Sequence, residues 1–389
     1  MKRFRVLIIF ALIVLTFLVV NFYKPTLTQS SDLSRMSFDQ LKKYFSDLAE
    51  KKGAKVAFET LKNANVPPNT DTHLLGHIVG DVLYKEEGLD GIQICTNDFR
   101  NACSHSIVTG IFTDKGEEAL PEISQACRQA PGGLGAYTMC FHGLGHGILA
   151  YKMYDLEKTI QICQKTNGSG EIAQCISGAV MEIISGGGHD KSLWSKKRKQ
   201  YLLADNPSYP CSADFMPEVG KSLCYNYLTP FLWEAVGADV NNPKEEDFIK
   251  AFALCGSLPE KDKKYQSSCF GGFGKEFTTL VQNKDIRKID QMSTEQLLKV
   301  YSLCNLNNDK EGTKECLSQA LSSIYWGGEN DRAASINFCK VIPDEENFSN
   351  CFSNLIGQVS NYIKDRNYRQ SFCQEIPEQF RKECQKRLS

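Results

Sequence analysis

The sixteen cysteines of this 389-residue chain fall into eight successive close pairs. Residues inside a pair are polar and rich in turn-forming types, as in Asn305–Glu315, whereas each stretch between pairs holds two short amphipathic segments around a turn signal. This alternation predicts helix, turn, helix in each repeat, with a disulfide from the end of one helix to the start of the next. The CxxC spacing of zinc sites is absent from the sequence, which favours structural disulfides. The predicted pairs are Cys95 with Cys103, Cys127 with Cys140, Cys163 with Cys175, Cys211 with Cys224, Cys255 with Cys269, Cys304 with Cys316, Cys339 with Cys351 and Cys373 with Cys384.

The N-terminal residues favour a membrane anchor. Three basic residues precede an apolar run from Val6 to Val20, and positive charge before such a run keeps the N-terminus in the cytoplasm. A cleaved signal peptide is the alternative, but it needs small residues after the run, and Val19–Tyr23 offers none. We therefore predict a cytoplasmic stub and uncleaved signal anchor over residues 1–24 and a tether over residues 25–36. The ectodomain then lies on the extracytoplasmic side, periplasmic or extracellular, where disulfides persist.

Helical hairpins with one cysteine pair per repeat resemble the secreted cysteine-rich solenoids related to the tetratricopeptide family. The resemblance covers residues 90–389 and implies an α-solenoid with a concave peptide-binding face. No strand pattern of any length appears, so we expect an all-α ectodomain, with N-terminal repeats over residues 37–185 and C-terminal repeats over residues 186–389. The net charge of −1 gives no electrostatic reason to expect a nucleic-acid partner.

Five of the six histidines occupy one register in the first three repeats. His105 and His142 each follow the second cysteine of a pair by two residues, and His73 follows Asp71, which takes the place of that cysteine in an initial repeat without cysteines. Two of the three repeats carry another histidine four residues later, on the same helical face. Equivalent helices of adjacent repeats stack about 8–10 Å apart, so the register directs these side chains to a common place. The five are His73, His77, His105, His142 and His146.

Converging imidazoles indicate a site for a divalent transition metal, with Zn, Cu and Fe as the candidates. Asp81 lies four residues after His77, as His77 does after His73, and adds a carboxylate. The predicted ligands are therefore the five histidines and Asp81, around one or two ions. Glu182 is an additional candidate, although a buried salt bridge at a helix end explains it equally well. His189 lies outside the register, in a glycine-rich loop from which it could act as a lid ligand.

Two functions stay open at this point. The first is a metalloenzyme, hydrolytic with Zn or oxidative with Cu or Fe; the second is a non-catalytic cell-surface solenoid that binds a peptide, protein or glycan. A zincin protease is disfavoured, because Leu74 and Gly143 occupy the positions where HExxH carries its general-base glutamate. The sequence identifies no catalytic residue and leaves open whether the site is catalytic.

Overall fold

The computed structural model describes residues 32–186, 190–239, 242–327 and 332–388. The predicted anchor and His189 lie outside these ranges. Within them the chain is helical, with two isolated β-bridges and no strand. None of the helices in these ranges combines the length and the hydropathy that crossing a bilayer requires.

The α-helices are numbered here in chain order. They are α1 (Phe38–Lys52), α2 (Ala54–Asn63), α3 (Thr72–Glu87), α4 (Asp98–Lys115), α5 (Leu120–Cys127), α6 (Gly133–Tyr151), α7 (Leu156–Cys163), α8 (Ser169–Ser185), α9 (Lys191–Arg198), α10 (Glu218–Tyr227), α11 (Thr229–Ala235), α12 (Glu245–Gly256), α13 (Gln266–Leu280), α14 (Thr294–Cys304), α15 (Lys310–Gly327), α16 (Arg332–Val341), α17 (Glu345–Tyr362), α18 (Arg366–Glu375) and α19 (Glu378–Leu388). Short 3₁₀ helices cover Gly88–Ile94, Gly116–Ala119, Glu260–Tyr265 and Ile286–Gln291.

All eight predicted cysteine pairs are confirmed as disulfides, and no cysteine is free. Seven of the bonds run from the end of one helical element to the next helix that carries a cysteine, and the eighth starts at Cys211, in the turns between α9 and α10. Eight disulfides indicate an oxidising, extracytoplasmic environment, because reducing compartments keep thiols free. They join Cys95 to Cys103, Cys127 to Cys140, Cys163 to Cys175, Cys211 to Cys224, Cys255 to Cys269, Cys304 to Cys316, Cys339 to Cys351 and Cys373 to Cys384.

The helices that carry the second cysteine of each pair form a continuous row. They contact one another in the order α4, α6, α8, α10, α13, α15, α17 and α19, and α3 precedes α4 at the start. Helices that end at a first cysteine pack against this row, as α7 does on α8 and α16 on α17. The described residues therefore form an all-helical, repeat-like fold, as predicted.

The row also curls back on its own beginning, which the sequence did not indicate. Helix α15 contacts α4, and α17 contacts α6. Arg287 secures this closure by donating from Nη1 to the carbonyl oxygens of Leu61 at 2.6 Å and Ala64 at 2.9 Å. The later repeats are thereby held close to the histidine-bearing ones.

Glycines determine how closely neighbouring helices of the row approach each other. A Cβ atom on Gly145 would overlap the carbonyl oxygen of Cys175, and one on Gly178 would overlap the carbonyl oxygen of His142. Helices α6 and α8 therefore meet backbone to backbone at this crossing. That proximity brings the side chains of α8 within hydrogen-bonding distance of the histidines on α6.

Candidate metal centre

The structure brings all five histidines of the shared register together. His73 and His77 come from α3, His105 from α4, and His142 and His146 from α6. His105 lies in the middle: its ring centroid is 5.5 to 5.8 Å from those of the other four. The three residues on α4 and α6 are buried, with exposures of 1%, 1% and 5%, while the α3 pair is half-buried. The cluster thus has an enclosed side and a more open side.

His73, His77 and His105 form the tightest group. One ring nitrogen from each lies within 4.8 Å of the corresponding nitrogens of the other two. The Nε2 atoms of His73 and His77 are 3.2 Å apart. Two imidazole nitrogens bound to one tetrahedral zinc ion at about 2.0–2.1 Å would be separated by about 3.3 Å, so this pair already has the spacing of two ligands.

Hydrogen bonds at Nδ1 fix how the α3 histidines present their other nitrogen. His73 Nδ1 lies 2.6 Å from the carbonyl oxygen of Phe99, which only accepts, so this nitrogen carries the proton. His77 Nδ1 lies 3.1 Å from Ser106 Oγ, and that hydroxyl already donates to the His77 carbonyl oxygen at 2.8 Å. With the proton on Nδ1 in both rings, the two Nε2 lone pairs face each other at 3.2 Å.

The α6 histidines are held in the same tautomer from helix α8. His142 Nδ1 is 2.8 Å from Ser177 Oγ, whose proton goes to the Gln174 carbonyl oxygen at 2.8 Å. His146 Nδ1 donates to the Glu182 carboxylate at 3.0 Å. Metal-binding histidines usually donate their second ring nitrogen in this way, which orients the ring and raises its basicity. Glu182 accordingly has the place of a supporting carboxylate, and it is 7% exposed.

His105 has no such support. Both of its ring nitrogens are buried and have no hydrogen-bond partner among the described residues, and the same holds for Nε2 of His146. A buried polar group without a partner costs about 1–3 kcal/mol. The centre of the cluster therefore holds imidazole nitrogens that the protein itself does not satisfy.

Burial also disfavours the charged form of three of the five imidazoles. It lowers the pKa of His105 and of His142 well below the usual value, and the neighbouring histidines lower the pKa of both further. Burial lowers the pKa of His73 as well, although the negative charge of Asp71 raises it in part. Neutral rings with unprotonated nitrogens are the form that binds metal ions.

A left-handed turn precedes the regular part of α4. Phe99, Arg100 and Asn101 have φ angles of 55°, 53° and 65°. This conformation costs about 1–2 kcal/mol for each residue other than glycine, and such residues cluster at functional sites. Here the turn directs the Phe99 carbonyl oxygen at His73 and places Arg100 beside the cluster.

Asp81 does not join the group. It is exposed on α3 and is not among the three residues with converging ligand atoms. At about 100° per residue, eight positions rotate a side chain by about 80°, so Asp81 points away from the direction of His73.

The structure adds four residues that the sequence reasoning missed. Met181 Sδ lies 3.4 Å from His142 Nε2. The Tyr227 ring lies 5.2 Å from the His142 ring, and Lys275 Nζ lies 3.9 Å from the centre of the Tyr227 ring. Arg100 completes this neighbourhood.

The register itself could have identified two of these four residues. Met181 and Lys275 each follow the second cysteine of their pair by six residues, as His146 does. Extending the comparison from histidine to any polar or sulfur side chain at that position would have found them. Tyr227 and Arg100 carry no such signal, because Tyr227 lies outside this position and Arg100 depends on the left-handed turn.

The chain matches no known protein family, and comparison with curated proteins and with solved structures finds no match.

Proposed function

We propose that the chain is a membrane-anchored, extracytoplasmic α-solenoid whose histidine cluster binds a transition-metal ion. His73, His77 and His105 are the primary ligands in this proposal, and His142 and His146 are adjacent imidazoles. The eight disulfides support the compartment, and the consecutive contacts of the second-cysteine helices support a solenoid. The anchor rests on the sequence of residues 1–24.

The opposed nitrogens of His73 and His77 carry the proposal. Their Nε2 lone pairs face each other at 3.2 Å, and the unpartnered nitrogens of His105 lie beside them. Lone pairs in this arrangement repel unless a cation lies between them. Burial disfavours a shared proton, because it lowers the pKa of His73. A metal ion satisfies all three residues at once.

The ligand set indicates the kind of metal site. Three imidazoles suit Zn, Cu or Fe, and three protein ligands leave a further coordination position for water or a substrate, as catalytic sites do. His142 and Met181 next to the group offer a further imidazole and a soft sulfur atom. We therefore favour a metalloenzyme over a scaffold protein.

Metal analysis of the purified, oxidised protein tests the proposal. After exposure to Zn, Cu and Fe in turn, followed by desalting, the wild-type chain should retain at least one stoichiometric ion. A variant with His73→Ala and His77→Ala should retain none, with its helical circular dichroism preserved by the disulfides. His189→Ala, outside the register, is the matched control and should bind metal as the wild type does. Wild-type protein that retains none of the three metals would favour the scaffold that binds a peptide, protein or glycan.

A further inference from the structure

Two cationic side chains lie next to the histidine cluster, although they come from distant repeats. Arg100 directly follows the residue that holds His73, and Lys275 lies against the Tyr227 ring that packs on His142. Helix α4, which carries Arg100, contacts α15, so Arg100 lies where the row of helices closes.

These two cations are only partly neutralised within the described residues. Glu276 forms an ion pair with Lys275 at 2.7 Å and is the one carboxylate that acts on the pKa of either cation. Arg100 donates from Nη2 to the neutral Ser323 hydroxyl at 3.1 Å, which uses one of the five N–H groups of a guanidinium. Among these three ionisable groups, two positive charges thus face one negative charge.

We call the partly exposed region around these side chains the recess. Burial is the main cause that lowers the pKa of Arg100 and of Lys275, yet the Lys275 and Glu276 side chains keep exposures of 16% and 21%, and Arg100 is half-buried. These side chains are therefore enclosed by protein but still reached by water. His73, His77 and Tyr227 are also half-buried, so the same recess borders the histidine group.

Tyr227, whose ring contacts both His142 and Lys275, carries a phenol hydroxyl. Burial raises its pKa to about 12, so the phenol stays protonated at neutral pH. A protonated phenol donates a hydrogen bond to an anion, whereas a phenolate would repel one.

We propose that the recess binds a small carboxylate- or phosphate-bearing molecule, with its anionic group between Arg100 and Lys275 and the rest of the molecule directed at the histidine-bound metal. The planar guanidinium of Arg100 suits two-point binding of a carboxylate or phosphate, and Lys275 adds a point charge. This inference rests on the proposed metal function and assigns it a substrate class.

Calorimetric titration of the full-length, zinc-loaded protein tests the inference, with inorganic phosphate and succinate as separate probes at constant ionic strength. The wild type should bind one or both anions, and the one bound more tightly identifies the class. Arg100→Met and Lys275→Met should each weaken binding about tenfold or more, with zinc content unchanged. Arg387→Met, a matched change at a side chain with 47% exposure, should bind anions as the wild type does.

Other outcomes separate the two proposals. Absence of binding for both anions, or wild-type affinity in Arg100→Met and Lys275→Met, overturns the anion site. If Arg100→Met does not fold because the Ser323 contact is lost, Arg100→Lys takes its place, and it should weaken binding because it keeps the charge but loses the planar fork. If the wild type retains no metal but the metal-free protein still binds an anion in an Arg100-dependent way, the metal proposal fails and the anion site stands.

Discussion

Replacing His105 by Leu should shift stability in opposite directions with and without metal. The two buried nitrogens of His105 lack partners, and together they cost at least about 2 kcal/mol. A leucine of similar size removes both nitrogens, and the change of shape costs at most about 1.5 kcal/mol. The metal-free variant should therefore gain at least about 0.5 kcal/mol in free energy of unfolding relative to the metal-free wild type.

Metal should reverse this order. A free metal concentration one hundred times the Kd stabilises the wild type by about 2.7 kcal/mol, and the variant loses this term with its third ligand. The variant should then be less stable than the wild type by at most about 2.2 kcal/mol, because its gain of at least about 0.5 without metal is subtracted from the metal contribution of about 2.7.

Urea unfolding followed by circular dichroism, with and without the metal found by elemental analysis, measures both differences. Thr109→Val is the matched control, because it also exchanges a buried polar side chain for an apolar one on α4. The Thr109 hydroxyl donates to the Gly143 carbonyl oxygen, so this control should lose about 1 kcal/mol and keep its metal. A His105→Leu variant that is destabilised without metal and still binds metal fully would refute the reasoning.

Three further predictions follow from the packing and the charges. Gly145→Ala should lower the free energy of unfolding in urea by about 1–3 kcal/mol or more, because its Cβ overlaps the backbone of the facing helix. Gly357→Ala, with open space around the Cβ, is the control and should be neutral or stabilising. Equal effects of the two changes would contradict this account of the crossing. Ser106→Ala should weaken metal affinity about tenfold to a hundredfold in competition titrations, because it removes the hydroxyl that accepts the hydrogen bond from His77 Nδ1. Ser124→Ala, at a buried serine elsewhere, is the control and should leave metal affinity unchanged. The metal-free protein should lose stability as the pH falls below about 6.5. Burial lowers the pKa of His105 in the folded state, so the unfolded chain binds more protons in this pH range. A urea midpoint that does not change between about pH 8 and pH 5 would contradict this prediction.

Local sequence patterns predicted the repeats well because each repeat is a local structure. A disulfide such as Cys339–Cys351 joins residues only 12 positions apart, so spacing and turn composition suffice to pair them. The convergence of the histidines was predictable for a related reason: His105 and His142 occupy equivalent positions on helices that are neighbours both in the chain and in space.

The remainder of the candidate site depends on contacts that local patterns do not encode. The hydrogen bond from Arg100 to Ser323 spans 223 residues and exists only because the row of helices curls back on itself. The angle of closure accumulates from small rotations between repeats, and no single repeat specifies it. Asp81 lies outside the converging group for a simpler reason, since eight positions along a helix turn a side chain by about 80°.

The left-handed turn at Phe99–Asn101 has a consequence for the order in which the protein matures. The Cys95–Cys103 disulfide encloses this turn, and the turn supplies both the oxygen that orients His73 and the side chain that reaches Ser323. In the reduced chain nothing covalent holds three residues in an unfavourable conformation. We therefore expect disulfide formation to precede metal binding. A chain that is still reduced, before export, should bind metal more weakly than the oxidised chain.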